Sequence, residues 1–367
     1  MNIKSIQVGE LISYIQSEEF LHADFWPISP VRAISHAMNP RADKDDTSLL
    51  LVYDSADLVG YLGLLPDLYF HDNGPQKIFW ISCMWIKPEY RRKGMAMNLL
   101  EKAYEICNGN IFISNYIPRS KSAFIGTTYF VEHSLLCGIR AYIFFDLTHI
   151  LINKKPGLRF FQPLFYLADT TLNLFFLMRI KLKIRKLTIT NRYIAFHYFE
   201  KNINDLINRS TKNSMFRRDA EIFQWMVDFP WVKDMMEQGI NTDKYYFSQY
   251  SRDFRQYFIK ITDTYQKVIG FFMLTLHKGV LKVPYIFASS NLVPDIAIYL
   301  IRFMADFKIP VLVTHHSPLV REIEGRRKIF LHQRKSKYGL ITTKKIADKL
   351  EKTENIFYEG DGDGAFT

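Results

Sequence analysis

Between Met84 and Met97 the chain reads Met-Trp-Ile-Lys-Pro-Glu-Tyr-Arg-Arg-Lys-Gly-Met-Ala-Met. Its centre, Arg91, Arg92, Lys93 and Gly94, is a basic turn with one residue that takes a left-handed backbone without strain. Placed at the start of a helix, such a turn suits an anion. The first N–H groups of a helix have no acceptor inside it, and the macrodipole adds partial positive charge there. The arginines bring mobile charge, and glycine lets a phosphate approach the main chain. Taken alone, R-x-x-G suits a solvated basic loop equally well, because short motifs recur by chance.

Two elements must hold this turn. Phe79 to Ile86 is short, almost wholly apolar and rich in aromatic and β-branched residues, as a buried strand requires. Pro88 ends it. From Met95 the apolar residues Met95, Leu99, Leu100 and Ala103 fall at helical spacing, and Asn108-Gly109 closes the helix.

The whole arrangement resembles the acyl-CoA signature of the GCN5-related N-acetyltransferases (GNAT): an apolar strand ending in V/I-x-P, then R/Q-x-x-G-x-G/A at a helix start. Ile86, Pro88, Arg91, Gly94 and Ala96 fill those places, with Ala96 where many members have glycine. The resemblance implies acetyl-CoA as co-substrate. Its pyrophosphate would lie on Arg91, Arg92, Lys93, Gly94, Met95, Ala96 and Met97, and its acyl and pantetheine groups on Met84, Trp85 and Ile86, with Asn115 added. An acceptor amine must lose a proton, attack the thioester and have the oxyanion and thiolate stabilised. The signature strand carries no carboxylate, so Asp67 or a water relay stands as base. Tyr129 stands as acid, although its spacing from Asn115 departs from the family's N-x-x-A-x-x-x-Y.

Composition fits such an enzyme. The 367 residues suit two domains, and 48% hydrophobic with 15% aromatic residues excludes a disordered or fibrous chain. The net charge of +11 favours an anionic partner: CoA, a nucleotide-linked substrate, nucleic acid or an anionic membrane. Aromatics lie mostly in apolar runs rather than among basic residues, which argues against nucleic acid. Cys83, Cys107 and Cys137 form no CxxC pair and read as reduced core residues; no metal site is expected. Met1 to Lys4 leads into a mixed segment without an apolar signal core, which argues for a cytoplasmic protein.

Along the chain, a helix is expected over residues 9–20 and a loop rich in Pro, His and aromatics over 22–46. Its Asn39-Pro40-Arg41-Ala42-Asp43 turn, with Asp45 and Asp46, is either an exposed loop or an acceptor-holding one. Strands follow at 48–53, 58–65 and 77–86, a helix at 95–107, a strand at 111–114, a helix near 121–128 and a strand at 135–147. Residues 163–186 are apolar around most of a helical wheel, with one polar stripe of Gln162, Tyr166, Asp169 and Asn173 and a basic end. This segment reads either as a connector between domains or as an interfacial helix on anionic lipid; Asp169 interrupts any membrane span. From Tyr193 the order repeats: strands at 194–199, 245–250, 254–262, 268–276 and 280–287, a helix at 293–307, and strands at 311–314 and 328–333. No R-x-x-G recurs after the strand that ends at Phe287.

The fold class is therefore α+β with a mixed sheet. By resemblance to two-domain enzymes of the mycothiol synthase type, it is two tandem acyl-CoA N-acyltransferase folds, the second degenerate. The expected parts are 1–150, acyl-CoA binding; 151–190, a connector; and 191–367, without a CoA signature. Arg217, Arg218, His315, His316 and Arg334 in the second fold stand as acceptor-binding groups, and the tail Glu359 to Thr367 is either flexible or folded back onto an amine. Resemblance to polysaccharide-cluster members implies an amino sugar, free or nucleotide-linked, as acceptor in surface-polysaccharide synthesis. An aminoacyl or longer-acyl transferase, or a non-catalytic basic module at a membrane or on nucleic acid, are the alternatives.

Overall fold

The computed structural model describes residues 2–71, 74–114, 116, 118–185, 187–233, 244–247, 249–251, 253–350 and 356–366. β1 (Asn2–Gln7) leads to α1 (Leu11–Gln16) and α2 (Glu18–Leu21). The single helix expected over 9–20 breaks at Ser17, whose hydroxyl accepts the Phe20 N–H and starts α2 afresh. The loop expected over 22–46 contains α3 (Pro30–Ala37), capped by Ser29 with Pro30 at its first position. Then come β2 (Thr47–Asp54), β3 (Asp57–His71), β4 (Gly74–Ile86), α4 (Met95–Ile106), β5 (Ile111–Ile113), α5 (Pro118–Ile125) and β6 (Phe130–Tyr142). α6 (Leu147–Lys154) and α7 (Gln162–Ile184) follow, then β7 (Arg192–Phe196), α8 (Lys201–Ser210) and α9 (Ala220–Asp228). β8 (Arg255–Thr262), β9 (Val268–His277), β10 (Val280–Ala288), α10 (Val293–Asp306), β11 (Val311–Thr314), α11 (Ser317–Gly325), β12 (His332–Thr343) and α12 (Lys344–Leu350) complete the trace. Among the described residues, the strand expected at 245–250 is an isolated bridge from Tyr250 to Lys233, and the strand expected at 328–333 lies later, as β12.

The fold is α+β with mixed strand pairing. It divides into two units. Unit one is Met1–Leu135, His197–Phe254 and Tyr338–Thr367; unit two is Leu136–Phe196 and Arg255–Lys337. The boundaries expected at 150 and 190 are therefore not where the contacts divide. Residues 197–254 and 338–367 return to unit one. The reason is visible in the pairing. Beside β5 lies the end of β12, with Ile341 opposite Ile113 and Thr342 opposite Phe112. The end of β6, expected as the last strand of the first fold, pairs instead with β11 in unit two, Ile139 opposite Thr314 and Tyr142 opposite Val311.

In unit one, β1 to β4 form an antiparallel meander and β5 runs parallel to β4. One face packs on α4 through Leu99, Leu100 and Ala103 against Leu62, Leu64, Ile81 and Ile113. Each buried leucine contributes roughly 1.5–3 kcal/mol of transfer free energy. The other face packs on α1 to α3 through Leu11, Phe20, Trp26, Ile28, Leu49, Leu51 and Tyr61. Unit two repeats the plan. β8, β9 and β10 form a meander, β11 runs parallel to β10, and α10 buries Ile296, Leu300, Ile301 and Met304 in an apolar core with Ile180 and Ile184 of α7.

Candidate active site

The site is built where β4 parts from β5. Their parallel ladder holds Phe79 with Ile111 and Trp80 with Phe112, and β5 ends one residue later while β4 runs on to Ile86. Just past the ladder, β4 has one residue too many for β3. Leu64 faces Ile81 but Gly63 faces Cys83, so Ser82 bulges. The bulge reverses the alternation of the strand. Phe79 and Ile81 face α4 before it and Met84 and Ile86 after it, while Cys83 and Trp85 turn to the opposite face. Gly63 makes room, since a Cβ there would lie 2.7 Å from the Cys83 sulfur and 2.9 Å from the Ser82 hydroxyl.

Beyond β4 a 3-10 turn over Pro88–Tyr90 leads to Arg91, whose Nε–H donates to the Ile86 carbonyl at 3.0 Å and ties the turn to the strand end. Arg92 and Gly94 both have left-handed backbones, with φ of 62° and 80°. Gly94, left-handed and followed by the helical Met95, points successive N–H groups into one concavity. Gly94 caps α4 without any side-chain hydrogen bond, and the first turn of α4 holds no acid. Arg91, Arg92, Lys93 and Gly94 are exposed, Ala96 and Met97 half-buried, and Met95 anchors the helix in the core. The expected phosphate-binding residues are therefore brought together at one open helix start. Of the pantetheine set, Met84 and Ile86 lie on the α4 side, but Trp85 does not: it packs with Phe25 at 4.5 Å and with Tyr61 and Tyr246 at about 6 Å on the other face. Asn115 lies outside the described residues.

The expected base, Asp67, is corrected by its surroundings. Its Oδ1 accepts from Arg41 at 2.6 Å, Arg218 at 3.0 Å and the Leu68 N–H at 2.8 Å, and its Oδ2 from Trp80 Nε1 at 2.9 Å. Burial alone would raise its pKa, but Arg218 and Arg41 outweigh burial and hold the carboxyl at about 2. A carboxylate so acidic and so fully bonded is a structural anchor rather than a base. The expected acid, Tyr129, lies beside the far end of α4. Its ring stacks on Tyr104 at 4.4 Å, and Tyr104 lies in the last turn of α4, about 14 Å along the helix from the phosphate-binding end.

Most of the other expected acceptor groups serve the scaffold, while the Arg217 side chain is exposed beside the Phe70 ring. Arg41 bonds Asp67 and the Arg217 carbonyl, Asn39 donates to the Pro66 carbonyl at 2.8 Å, and Asp43 and Asp46 hold Lys77 at 2.7 and 2.8 Å. Asp45 is exposed. Arg218 joins Asp67 to Asp361. In unit two, His315 bonds Ser336 at 3.1 Å, His316 caps α11 by accepting the Leu319 N–H, and Arg334 lies over the Tyr142 ring. Cys83 and Cys107 are buried as expected, whereas Cys137 is exposed on β6.

Two groups that the sequence reading underrated lie at the fork. The first is the tail, where residues 359–366 are buried. Gly362, with φ of 69°, lies so close to Trp80 that a Cβ would meet its ring at 2.7 Å. Ser114, directly after β5, donates to the Asp361 carbonyl at 3.3 Å and to Asp363 Oδ1 at 3.4 Å. Phe366 fixes the end by stacking on Trp231 at 4.3 Å. The second group is Arg32 of α3, which is fully buried. It donates to the Ser82 carbonyl at the bulge (3.1 Å), to Tyr245 (3.4 Å) and to His36 Nε2 (3.3 Å), and lies 3.8 Å over Trp231. Burial, then the Arg32 charge, hold His36 neutral, with its pKa well below the usual value. The sequence signal for the tail was its alternation of Asp and Gly ending in Phe366; Arg32 stood in a segment read as loop.

Comparison with known proteins points to the same stretch. Residues 11–116 match the model of the acetyltransferase (GNAT) family. No curated protein sequence matches significantly. Among solved structures, the chain is similar to a GCN5-related N-acetyltransferase from Anabaena variabilis at 13% identity and a TM-score of 0.46, covering 93% of this chain and 72% of that one. It is also similar to a probable N-acyltransferase from Enterococcus faecalis, at 7% identity and 0.48 with the same coverage. A third similar structure is Saccharomyces cerevisiae N-myristoyltransferase with bound myristoyl-CoA, at 9% and 0.49, covering 93% and 78%. Over residues 11–116, which include the strand, basic turn and helix start described above, the chain is thus similar to the acetyltransferase (GNAT) family.

Proposed function

We propose that unit one transfers an acetyl group from acetyl-CoA to a primary amine. The observation that carries this reading is the forked β4–β5 pair ending at an acid-free helix start with two left-handed residues. The N–H groups from Arg92 to Met97 take the pyrophosphate, with Arg91 and Arg92 adding charge. The pantetheine lies along Met84 to Ile86, where the parting of β5 leaves main-chain donors and acceptors for its amides. Main-chain N–H groups just past the Ser82 bulge polarise the thioester carbonyl and stabilise the oxyanion. The thiolate leaves on the α4 side.

The acceptor approaches from the other face. Phe25, Trp85 and Tyr246, backed by the fully buried Tyr61, form an aromatic wall there, a surface suited to the C–H face of a sugar ring. Asp363, at the fork beside Ser114, holds the ammonium and takes its proton as attack begins. An amino sugar, free or nucleotide-linked, in surface-polysaccharide synthesis is the acceptor this reading favours. An aminoacyl or longer-acyl transfer is the second reading, favoured by the length of the open β4 edge.

Calorimetric titration of the whole chain with acetyl-CoA, free CoA and longer acyl-CoAs is the test. Saturable binding at one site per chain is the expected result, followed by turnover with an amino-sugar panel. Absence of binding overturns the assignment. Asp363→Asn is expected to lower kcat by about 100-fold or more with little change in acyl-CoA affinity.

A further inference from the structure

The helical hairpin of unit two has its polarity turned inside out. Of the polar stripe of α7, Gln162 and Tyr166 are exposed while Asp169 and Asn173 point inward: Asp169 caps α6 by accepting the Leu147 and Thr148 N–H groups at 2.8 and 2.9 Å and the Thr148 hydroxyl at 2.8 Å. Asn173 exchanges two hydrogen bonds with the Phe145 main chain, at 2.7 and 2.8 Å, and Ile180 and Ile184 on the same side join the core. The opposite side presents Leu164, Leu167, Leu174, Phe175, Met178 and Leu182, each between 59% and 66% exposed. Their spacing of i, i+3, i+10, i+11, i+14, i+18 is one face of a 3.6-residue helix. Phe160, at the bend before α7, is 85% exposed and continues the stripe. A continuous apolar stripe of this kind is not the scatter of single apolar residues usual on a soluble surface.

The charges around it are of one sign. From Leu147 to Arg192 the sequence holds nine Lys and Arg, at 154, 155, 159, 179, 181, 183, 185, 186 and 192, and a single acid, the buried Asp169. Lys154, Lys155 and Arg159 stand exposed at one end of the hairpin, and Lys181 and Arg185 at the other, beside Leu182. α7 is 23 residues long, about 34 Å, yet no helix is long and apolar enough to cross a membrane among the described residues. An apolar stripe bracketed by cations, on a helix that does not span, suits the plane of a bilayer interface. A second copy of the chain would set like charges against each other along the same stripe.

We infer that the α6–α7 hairpin docks the protein onto an anionic phospholipid bilayer, with Phe160, Leu164, Leu167, Leu174, Phe175, Met178 and Leu182 in the acyl boundary and the flanking cations among the headgroups. The test is flotation of the full chain with phosphatidylglycerol-rich vesicles and with phosphatidylcholine vesicles. Saturable, salt-sensitive binding to the former and weak binding to the latter is expected. Lys181→Glu with Arg185→Glu is expected to weaken it by about 30-fold or more, from about 1 kcal/mol per basic charge. Leu174→Asp with Phe175→Asp is expected to abolish it. All four side chains are exposed, so an unchanged thermal midpoint in each variant verifies folding. Equal binding of wild type and variants, or no binding to either vesicle, overturns the inference. A dimer in lipid-free light scattering that Leu174→Asp with Phe175→Asp dissociates would also overturn it, assigning the face to a second copy.

Discussion

Both units run a meander into a bulged strand, a short parallel neighbour and a helix, yet the two helix starts differ in every feature that matters to an anion. After β4 the chain turns through Arg91 to Gly94, with two left-handed residues and no acid, before α4 begins. After β10, which carries its own register shift between Lys282 and Tyr285, a 3-10 turn over Ser290–Leu292 runs straight into α10. Pro294 in the first turn removes a donor, and Asp295 sets a negative charge at the positive end of the dipole. The second helix start is self-satisfied. A shared topology therefore does not imply a shared site, because the proposed site rests on four turn residues rather than on the strand order.

The units also differ in their interiors. Among the described residues, unit two buries a single carboxylate, Asp169, beside its apolar core, whereas unit one contains the linked charges of Asp67, Arg41, Arg218 and Asp361. The largest expected effect follows from breaking that set. Asp67→Ala takes the shared carboxylate from two buried guanidinium groups, leaving Arg218 on Asp361 and Arg41 on Asp219 at 3.8 Å, and is expected to destabilise unit one by about 3–5 kcal/mol, read by urea denaturation. A loss below about 1 kcal/mol would mean that water, not Asp67, balances those charges.

Next in size is the helix start itself. Gly94→Asp adds a strained left-handed Asp and a repelling carboxylate, and is expected to reduce acetyl-CoA affinity by about 100-fold, measured by calorimetry. The reverse change sharpens the comparison: Pro294→Ala with Asp295→Gly frees the start of α10 but supplies no left-handed turn. One acyl-CoA per chain is still expected, and a second saturable site would show that the turn geometry is not what distinguishes the units.

Acidification separates the units more gently. Burial lowers the His316 pKa to about 4, below its unfolded value, so its contribution to stability is full above about pH 6.5 and is lost as pH falls toward 4. Protonation also removes the acceptor that caps α11. His36 acts in the same direction in unit one, while Asp67 keeps its contribution until pH falls below its ordinary value of 3.8 toward about 2. The thermal midpoint is expected to drop between pH 7 and pH 5, and His316→Asn, which caps without titrating, is expected to flatten the unit-two part of that drop. The smallest effect belongs to Tyr129→Phe. A ring stacked at the far end of α4 is expected to change kcat/KM by less than about twofold, and a larger loss would restore Tyr129 as the proton donor.

What the sequence disclosed and what it hid follow from the range of each signal. The strand, proline, basic turn and helix from Phe79 to Ile106 are contiguous, so their periodicities and breakers are readable along the chain, and the meanders either side of them are equally local. The Ser82 bulge was hidden because the run around it is apolar on both faces, so a slip of one residue leaves no mark in the pattern. Asp67 was read as a base because its saturating partners come from residues 41 and 218, far along the chain. The strand beside β5 was hidden for the same reason, because Ile341 and Thr342, which take that place, lie far along the chain. The buried tail was legible in composition only as an oddity, and its meaning depends on Trp80 and Ser114.

The pairing of β5 with β12 also sets an order of assembly during synthesis. Ile113 leaves the ribosome 228 residues before Ile341, its partner. At about 5–20 residues per second that gap is on the order of 10–45 s, during which unit two can close but unit one has an unpaired strand edge and an unfilled core. Translated first, unit one is completed last. A nascent chain stalled anywhere before residue 338 presents that edge to its neighbours on the polysome.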